Sequence, residues 1–428
     1  MRSIRNILVL LAMSVIVTAN IFASVTPGAS PARAEQQRYR WKVPTIKIAV
    51  SSSLIQSSTN IKTDSDVIGA VRRSLDAWQE VAGVELQLIT SDKLNVSPAG
   101  PAGDKVNLIT IAQTPDNVLL FSKSPLTESA KTRVFYNRSG NITEADIVLS
   151  PFQQFSTDGT FGTFDLESTL THEIGHLLGL RHSGVLGSTM SDSSARNGSL
   201  GFIDLGSRTL AASDIAAVRD LYGTLDDDVE CCAAVIGKLT AAVGRFTSLR
   251  VWAEESATGR VMAQVETGTD GAFRIGGLNP GTYNLFWQKR DDPGTSSIGG
   301  LGSVVLENGE LTSVNERIVL GHSDLALKYV GINSQLTDSS VPVAAGREYT
   351  IYVGGKNINA NDVRIAFSSP YLKLAAGIPV VQDFGQTVSV FSVNIVVDRD
   401  TPPGVYSVFA TGPDNAQSSL IGAISVEE

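Results

Sequence analysis

From Thr45 to Val50 the chain alternates polar and apolar side chains, the two-residue period of a strand with one buried face. Val67, Ile68, Val71, Leu75 and Trp78 then recur at helical spacing behind a cap-like Thr63-x-x-Asp66, so a long helix follows the first strand. Strand patterns resume at Val84–Ile89, Val106–Ile111, Thr132–Tyr136 and Ile142–Leu149. Together they predict a sheet of about five strands, an ordinary size for one domain. A further helix is predicted around residue 170, with Leu166, Leu170, Ile174 and Leu177 on its buried face. Past Gly223 the pattern changes. Asp226-Asp227-Asp228 is a solvated acidic run, and from Ala233 onward short alternating strands are separated by Gly and Pro turns with little sign of helix.

Length changes the picture next, because 428 residues with 42% hydrophobic content exceed what one core organises, and two to four domains are expected. The start of the chain is set apart from them. Arg2 and Arg5 precede a stretch from Asn6 to Pro31 without charge, and Ala32-Arg33-Ala34 has the small-x-small form of a signal-peptidase site. Residues 1–34 are therefore read as a signal peptide, with a retained membrane anchor as the other outcome of the same apolar run. No later stretch is long and apolar enough to span a bilayer. Export follows, to a periplasm, the medium or a cell surface. The chain carries 34 basic and 43 acidic residues, and loss of residues 1–34 removes three arginines and no acid. This acidic balance argues against nucleic acid and anionic membranes as partners. The two cysteines, Cys231 and Cys232, are adjacent, which leaves an intermolecular bridge, a strained vicinal ring or two free thiols open.

The candidate chemistry lies in residues 172–182, His-Glu-Ile-Gly-His-Leu-Leu-Gly-Leu-Arg-His. On a helix His172 and His176 project from one face and can share a metal, while Glu173 beside them can take a proton from a water in the metal's open position. Gly179 ends the helix without steric cost, and the turn brings His182 back as a third ligand. Three protein ligands and a water define a catalytic zinc site rather than a closed structural one.

With Ser188-Thr189-Met190 placing a Met eight residues beyond His182, this segment resembles the metzincin clan of zinc endopeptidases, in which such a Met turn underlies the metal. Ser183 after the third His resembles the matrixin group. So do Phe164-Asp165-Leu166-Glu167-Ser168 and the run from Leu210-Ala211-Ala212-Ser213-Asp214-Ile215 to Leu221-Tyr222-Gly223. The resemblance covers roughly residues 40 to 223 and implies an α+β metzincin catalytic domain, a twisted five-stranded sheet plus three helices, over residues 35–225. It further implies one catalytic zinc on His172, His176 and His182, Glu173 as general base, Met190 as the apolar floor and a polypeptide substrate. The strand near Thr132 to Asn137 is expected to be the sheet edge to which an extended substrate adds. The loop Ser191–Ser207 is expected to shape the pocket for the side chain after the cleaved bond.

Several departures from the matrixin pattern matter. The chain has four histidines, so a second, structural zinc held by further histidines cannot be assembled, and His322 reads as a solvated linker residue. No cysteine precedes this region, so a cysteine-switch propeptide is not expected. Ser213 stands where many matrixins have the first of two acids, and Asp214 matches the second, a structural residue under the Met turn. Ser156-Thr157-Asp158-Gly159-Thr160 offers oxygens for a calcium ion or forms a plain polar turn.

Two β-sandwich domains account for the rest. Residues 233–321 contain Thr269-Asp270-Gly271-Ala272-Phe273-Arg274-Ile275 and Leu278-Asn279-Pro280-Gly281-Thr282-Tyr283, which resemble the carboxypeptidase regulatory-like, prealbumin-type sandwich, with Asp-Gly as a hairpin turn. Residues 323–428 suit an immunoglobulin-like sandwich, with a Thr401-Pro402-Pro403-Gly404-Val405-Tyr406 corner. Neither shows clustered metal ligands, so both read as spacer, docking or adhesion modules. The resulting expectation is an exported zinc endopeptidase acting on extracellular or envelope proteins. The rival is an adhesin or surface-binding protein whose metzincin-like domain is inactive. If the sandwiches only localise an enzyme, deleting residues 233–428 leaves peptide hydrolysis intact.

Overall fold

The computed structural model describes residues 38–427, apart from 57, 99–102, 124–126, 194, 203–207, 225–231, 243–247, 292–294, 322, 378 and 383–387. The expected signal peptide, residues 1–34, together with the Asp226–Asp228 run, Cys231 and His322, lies outside the described residues, while Cys232 is disulfide-bonded.

The first domain is built on β1 (Thr45–Ser51), β2 (Glu85–Ser91), β3 (Asn107–Thr110), β4 (Ala130–Tyr136) and β5 (Ile142–Leu149), in the order β2-β1-β3-β5-β4. Neighbours run parallel except β4, which lies antiparallel to β5 at the edge of the sheet. Three principal helices join them: α1 (Val67–Gln79), α2 (Leu166–Leu177) and α3 (Ala212–Tyr222). The N-cap of α1 is Asp66, whose carboxylate accepts from the Gly69 N–H at 3.0 Å, so Thr63 is a turn residue and not the cap. Its buried stripe, Ala70, Val71, Leu75 and Trp78, meets the face of α2 formed by Leu166, Leu170, Ile174 and Leu177. Each of these larger side chains contributes roughly 2 kcal/mol by leaving water. Polar bonds fix the register between the two helices. Trp78 Nε1 donates to the Thr171 carbonyl at 2.8 Å, and Ser74 Oγ to that of Glu167 at 3.0 Å.

The second domain contains β6 (Ala233–Ala241), β7 (Arg250–Glu255), β8 (Val261–Glu266), β9 (Ala272–Leu278), β10 (Gly281–Asp291), β11 (Thr295–Leu306) and β12 (Leu311–Ile318). They form a sheet β8-β7-β10-β11 facing a sheet β9-β6-β12 over a core that includes Phe273, Tyr283 and Trp287. The Asp270-Gly271 turn, with Gly271 at φ 82°, carries the chain from one sheet to the other and does not close a hairpin. Alternation alone could not distinguish these, because a crossover between packed sheets uses the same turn chemistry as a hairpin.

In the third domain β13 (Ala326–Ile332), β14 (Gln335–Thr337), β15 (Val341–Ala344), β16 (Glu348–Lys356), β17 (Arg364–Phe367), β18 (Leu372–Leu374), β19 (Val380–Gln382), β20 (Ser389–Val397), β21 (Gly404–Thr411) and β22 (Gln417–Glu427) follow. One sheet runs β14-β13-β16-β20-β18, with β19 also on β20, and the other runs β15-β22-β21-β17. Both sandwiches pin a corner with a tyrosine. Tyr283 donates to the Asn279 carbonyl at 2.7 Å, and Tyr406 to the Pro402 carbonyl at 2.5 Å.

A separate apolar cluster sits where all three domains meet, drawing Val185 from the first, Trp252 and Val261 from the second, and Val405 and Ile421 from the third. Beside it Glu254 is buried, its Oε1 accepting from Trp252 Nε1 at 2.9 Å and from Ser407 Oγ of the third domain at 2.7 Å. Burial pushes the Glu254 carboxyl up to about 7 against an opposing pull from those two donors. Below the unfolded carboxyl pKa both states hold the proton and nothing is lost. As pH rises toward 7 the unfolded chain ionises first, so stability falls, by about 3 kcal/mol in all, and then levels off. Glu254→Gln, which mimics the protonated group, is expected to remove this slope. Thermal unfolding at pH 5 and pH 8 checks it: parallel curves for both proteins would contradict the assignment.

Candidate metal centre

The α2 helix starts at Asp165, whose Oδ1 accepts from the Ser168 N–H at 2.8 Å and whose carboxylate is also held by Arg208. That start sets the phase of the helix so that its leucine stripe faces the core while His172 and His176 face a cleft. At the other end Gly179 takes φ 98°, and a Cβ there would lie 2.1 Å from the Tyr39 carbonyl oxygen. Only glycine fits the turn that returns the chain to His182. Gly175 is required for a different reason. A Cβ at this position would lie 2.2 Å from Met190 Sδ, so its absence lets the Met turn come directly under the helix.

The ligand atoms of His172, His176 and His182 all lie within 4.8 Å of one another, and among the described residues this is the one cluster of three or more such groups able to hold a metal. The donor chemistry fits zinc. His172 Nδ1 is 2.7 Å from the Thr189 carbonyl oxygen and His176 Nδ1 is 2.9 Å from that of Leu180. A carbonyl can only accept, so each Nδ1 carries the hydrogen and each Nε2 keeps its lone pair for a metal. Burial lowers both pKa values to about 4, which keeps the rings neutral. His182 is the exposed member of the three.

Glu173 is buried next to them, and burial raises its carboxyl pKa while His176 and a hydrogen bond from Thr132 pull the other way. Thr132 Oγ1 donates to Glu173 Oε2, and lies 3.2 Å from the Glu173 carbonyl oxygen. Thr132 sits on β4, the edge strand, so the sheet edge and the candidate base are linked by one side chain. The cleft, about 350 Å³, is lined on one side by Ser129 to Thr132 and on the other by Ser191, Asp192 and Ser193, with His172, Glu173, His176 and His182 between. Sequence reasoning placed β4 and the loop from Ser191 on the cleft but did not single out Thr132, because nothing local marks a threonine that meets a glutamate 41 residues later.

Beneath the cluster Met190 is buried in the core of the first domain. Asp214 holds its turn. The carboxylate accepts from Ser188 Oγ at 2.5 Å and from the N–H groups of Thr189, Ala211 and Met190 at 2.8, 3.0 and 3.2 Å. In the Ser156–Thr160 loop the Asp158 carboxylate pairs with Lys62 and accepts from Thr160 Oγ1 at 2.7 Å. The loop is a polar turn that carries this ion pair.

A core-buried helix with three convergent imidazoles and a carboxylate, beside an open sheet edge, defines the zinc metallopeptidase class. Residues 41–223 match the family model described as Matrixin, so this part of the chain is a matrixin domain. No curated protein matches the chain. Similar solved structures include domains 4 and 5 of the S-layer protein SbsC, at 13% identity and TM-score 0.15 over 36% of this chain and 69% of that one. Another is a putative adhesin from Bacteroides ovatus, at 11% identity and TM-score 0.18 over 45% of this chain and 82% of that one. A third, at 14% identity and TM-score 0.18, is the Bacteroides ovatus glucan-utilisation protein SGBP-B, over 45% of this chain and 43% of that one. At these TM-scores the likenesses carry no argument about what this chain does. Among the described residues no helix is long and apolar enough to cross a membrane.

Proposed function

We propose that the chain is an exported zinc-dependent endopeptidase that cleaves extracellular or envelope proteins, using Glu173 as general base. The observation that carries this reading is the placement of Glu173, buried yet on the cleft, between three imidazoles whose ligand atoms converge within 4.8 Å. Zinc, when bound by His172, His176 and His182, polarises the scissile carbonyl and makes a water more acidic. Glu173 takes the proton of the attacking water and later passes it to the leaving nitrogen. Its raised pKa suits both transfers, and the Thr132 hydroxyl keeps the carboxylate aimed at the cleft. The unpaired edge of β4 accepts an extended polypeptide as an added strand. Ser191 to Ser193 wall the pocket for the residue after the cleaved bond, while Met190 supplies an apolar floor and no chemistry.

Residues 35–428 are expected to degrade an unstructured protein such as casein, to stop when a chelator strips the metal, and to resume when zinc is restored. One bound zinc without cleavage of any of several substrates would move the reading to the surface-binding alternative.

A further inference from the structure

We propose that the second and third domains are working parts of the metal centre, holding the segment from Ser183 to Leu200 and, through Gln264, the position of the third ligand. This rests on the zinc reading above. His172 and His176 are fixed twice, by α2 and by a carbonyl on each Nδ1. For His182, among the described residues, no hydrogen bond to the ring is found, so its place is set by the backbone that follows it. Ser183 N–H donates to the Met190 carbonyl at 2.7 Å, which ties it to the Met turn. The next residue is tied to the second domain. Gly184 N–H donates to Gln264 Oε1 at 2.8 Å, and Ser183 Oγ lies 3.4 Å from the same oxygen.

The rest of the segment is anchored outside the first domain as well. Val185 is buried in the three-domain cluster, and a Cβ on Gly422, which has φ 65°, would lie 2.5 Å from Val185 Cγ1. Leu186 N–H donates to the Ile421 carbonyl at 2.9 Å. Ser193, on the cleft wall, donates to Asp338 Oδ1 at 2.9 Å. Leu200 is buried in the third domain's core and is held by Gln335 and Asn333, each at 3.0 Å. A segment whose apolar residues lie in the cores of other domains has no equivalent burial in residues 35–225 alone. The sandwiches therefore do more than localise the enzyme, and Gln264 is a positioning residue for His182.

The test uses the full chain from residue 35. Gln264→Leu keeps the side chain's size but removes the acceptor, whereas Gln264→Glu keeps an oxygen facing Gly184. Competition with a chromophoric chelator should show zinc held about 10-fold more weakly by the Leu variant and no more than about 3-fold more weakly by the Glu variant. Hydrogen exchange of the metal-free proteins should show the Gly184 amide exchanging faster in the Leu variant alone. If Gln264→Leu does not fold, Gln264→Ser, too short to reach Gly184, carries the same comparison. Unchanged zinc affinity and unchanged Gly184 exchange in a folded variant overturn the proposal. If the unaltered chain binds no zinc, the zinc reading fails, and the exchange comparison still decides whether Gln264 holds the loop.

Discussion

Glu173→Gln is expected to lower kcat/KM by about 10³-fold, the middle of the range for a general base, while leaving bound zinc unchanged. The substitution is nearly isosteric and keeps an oxygen to accept from Thr132 Oγ1, so the helix and the β4 edge stay as they are. Glu173 is not one of the three converging ligands, which is why metal content should not follow activity. What the amide cannot do is take a proton from water. Rates on a peptide substrate, measured beside metal content, separate the cases. A loss of less than about 10-fold would mean that another group does the proton transfer, and a loss of zinc would mean that Glu173 acts structurally.

The second large effect is expected at Asp214→Ala, with a loss of folding stability on the order of 4 kcal/mol. The wild-type carboxylate is buried and accepts from one hydroxyl and three backbone N–H groups. Removing it strands the buried Ser188 hydroxyl and Thr189 N–H, and each stranded donor costs roughly 1–3 kcal/mol before relaxation. Asp214→Asn should be milder, because one oxygen remains as acceptor. Because the Thr189 carbonyl that orients His172 belongs to the same turn, the Ala variant should also release zinc more readily. Urea unfolding together with chelator competition checks both halves. An Ala variant with wild-type midpoint and zinc affinity would show that the Met turn stands without this carboxylate.

Much of the first domain was legible because its signals are local. The period of Leu166, Leu170, Ile174 and Leu177 fixed the buried face of α2, and that face dictated which way the two histidines point. Alternation likewise located all five strands to within two residues at each end. Two short helices, Ser52–Ile55 and Pro115–Leu119, were missed, since four or five residues are too few to show a period. What the sequence did not yield depends on long-range register. The carbonyls of Thr189 and Leu180 that orient the rings are backbone atoms with no residue signature, and Thr132 reaches Glu173 only because β4 lies at the sheet edge. Gln264 is further removed still, a polar residue on a sandwich strand that becomes meaningful only when β8 is seen against Gly184. The Asp270-Gly271 turn shows the same limit in reverse: its chemistry was read correctly as a turn, but which sheets it joins is a property of the packed domain.

His172, His176 and His182 are expected to hold one zinc and to leave a position open. X-ray absorption at the zinc edge of zinc-loaded residues 35–428 reads both the metal count and its shell. One zinc per chain is expected, with three imidazole nitrogens near 2.0–2.1 Å and an oxygen from solvent completing the shell. A shell closed by a fourth protein ligand, or a chain that takes up no zinc while folded, would contradict it.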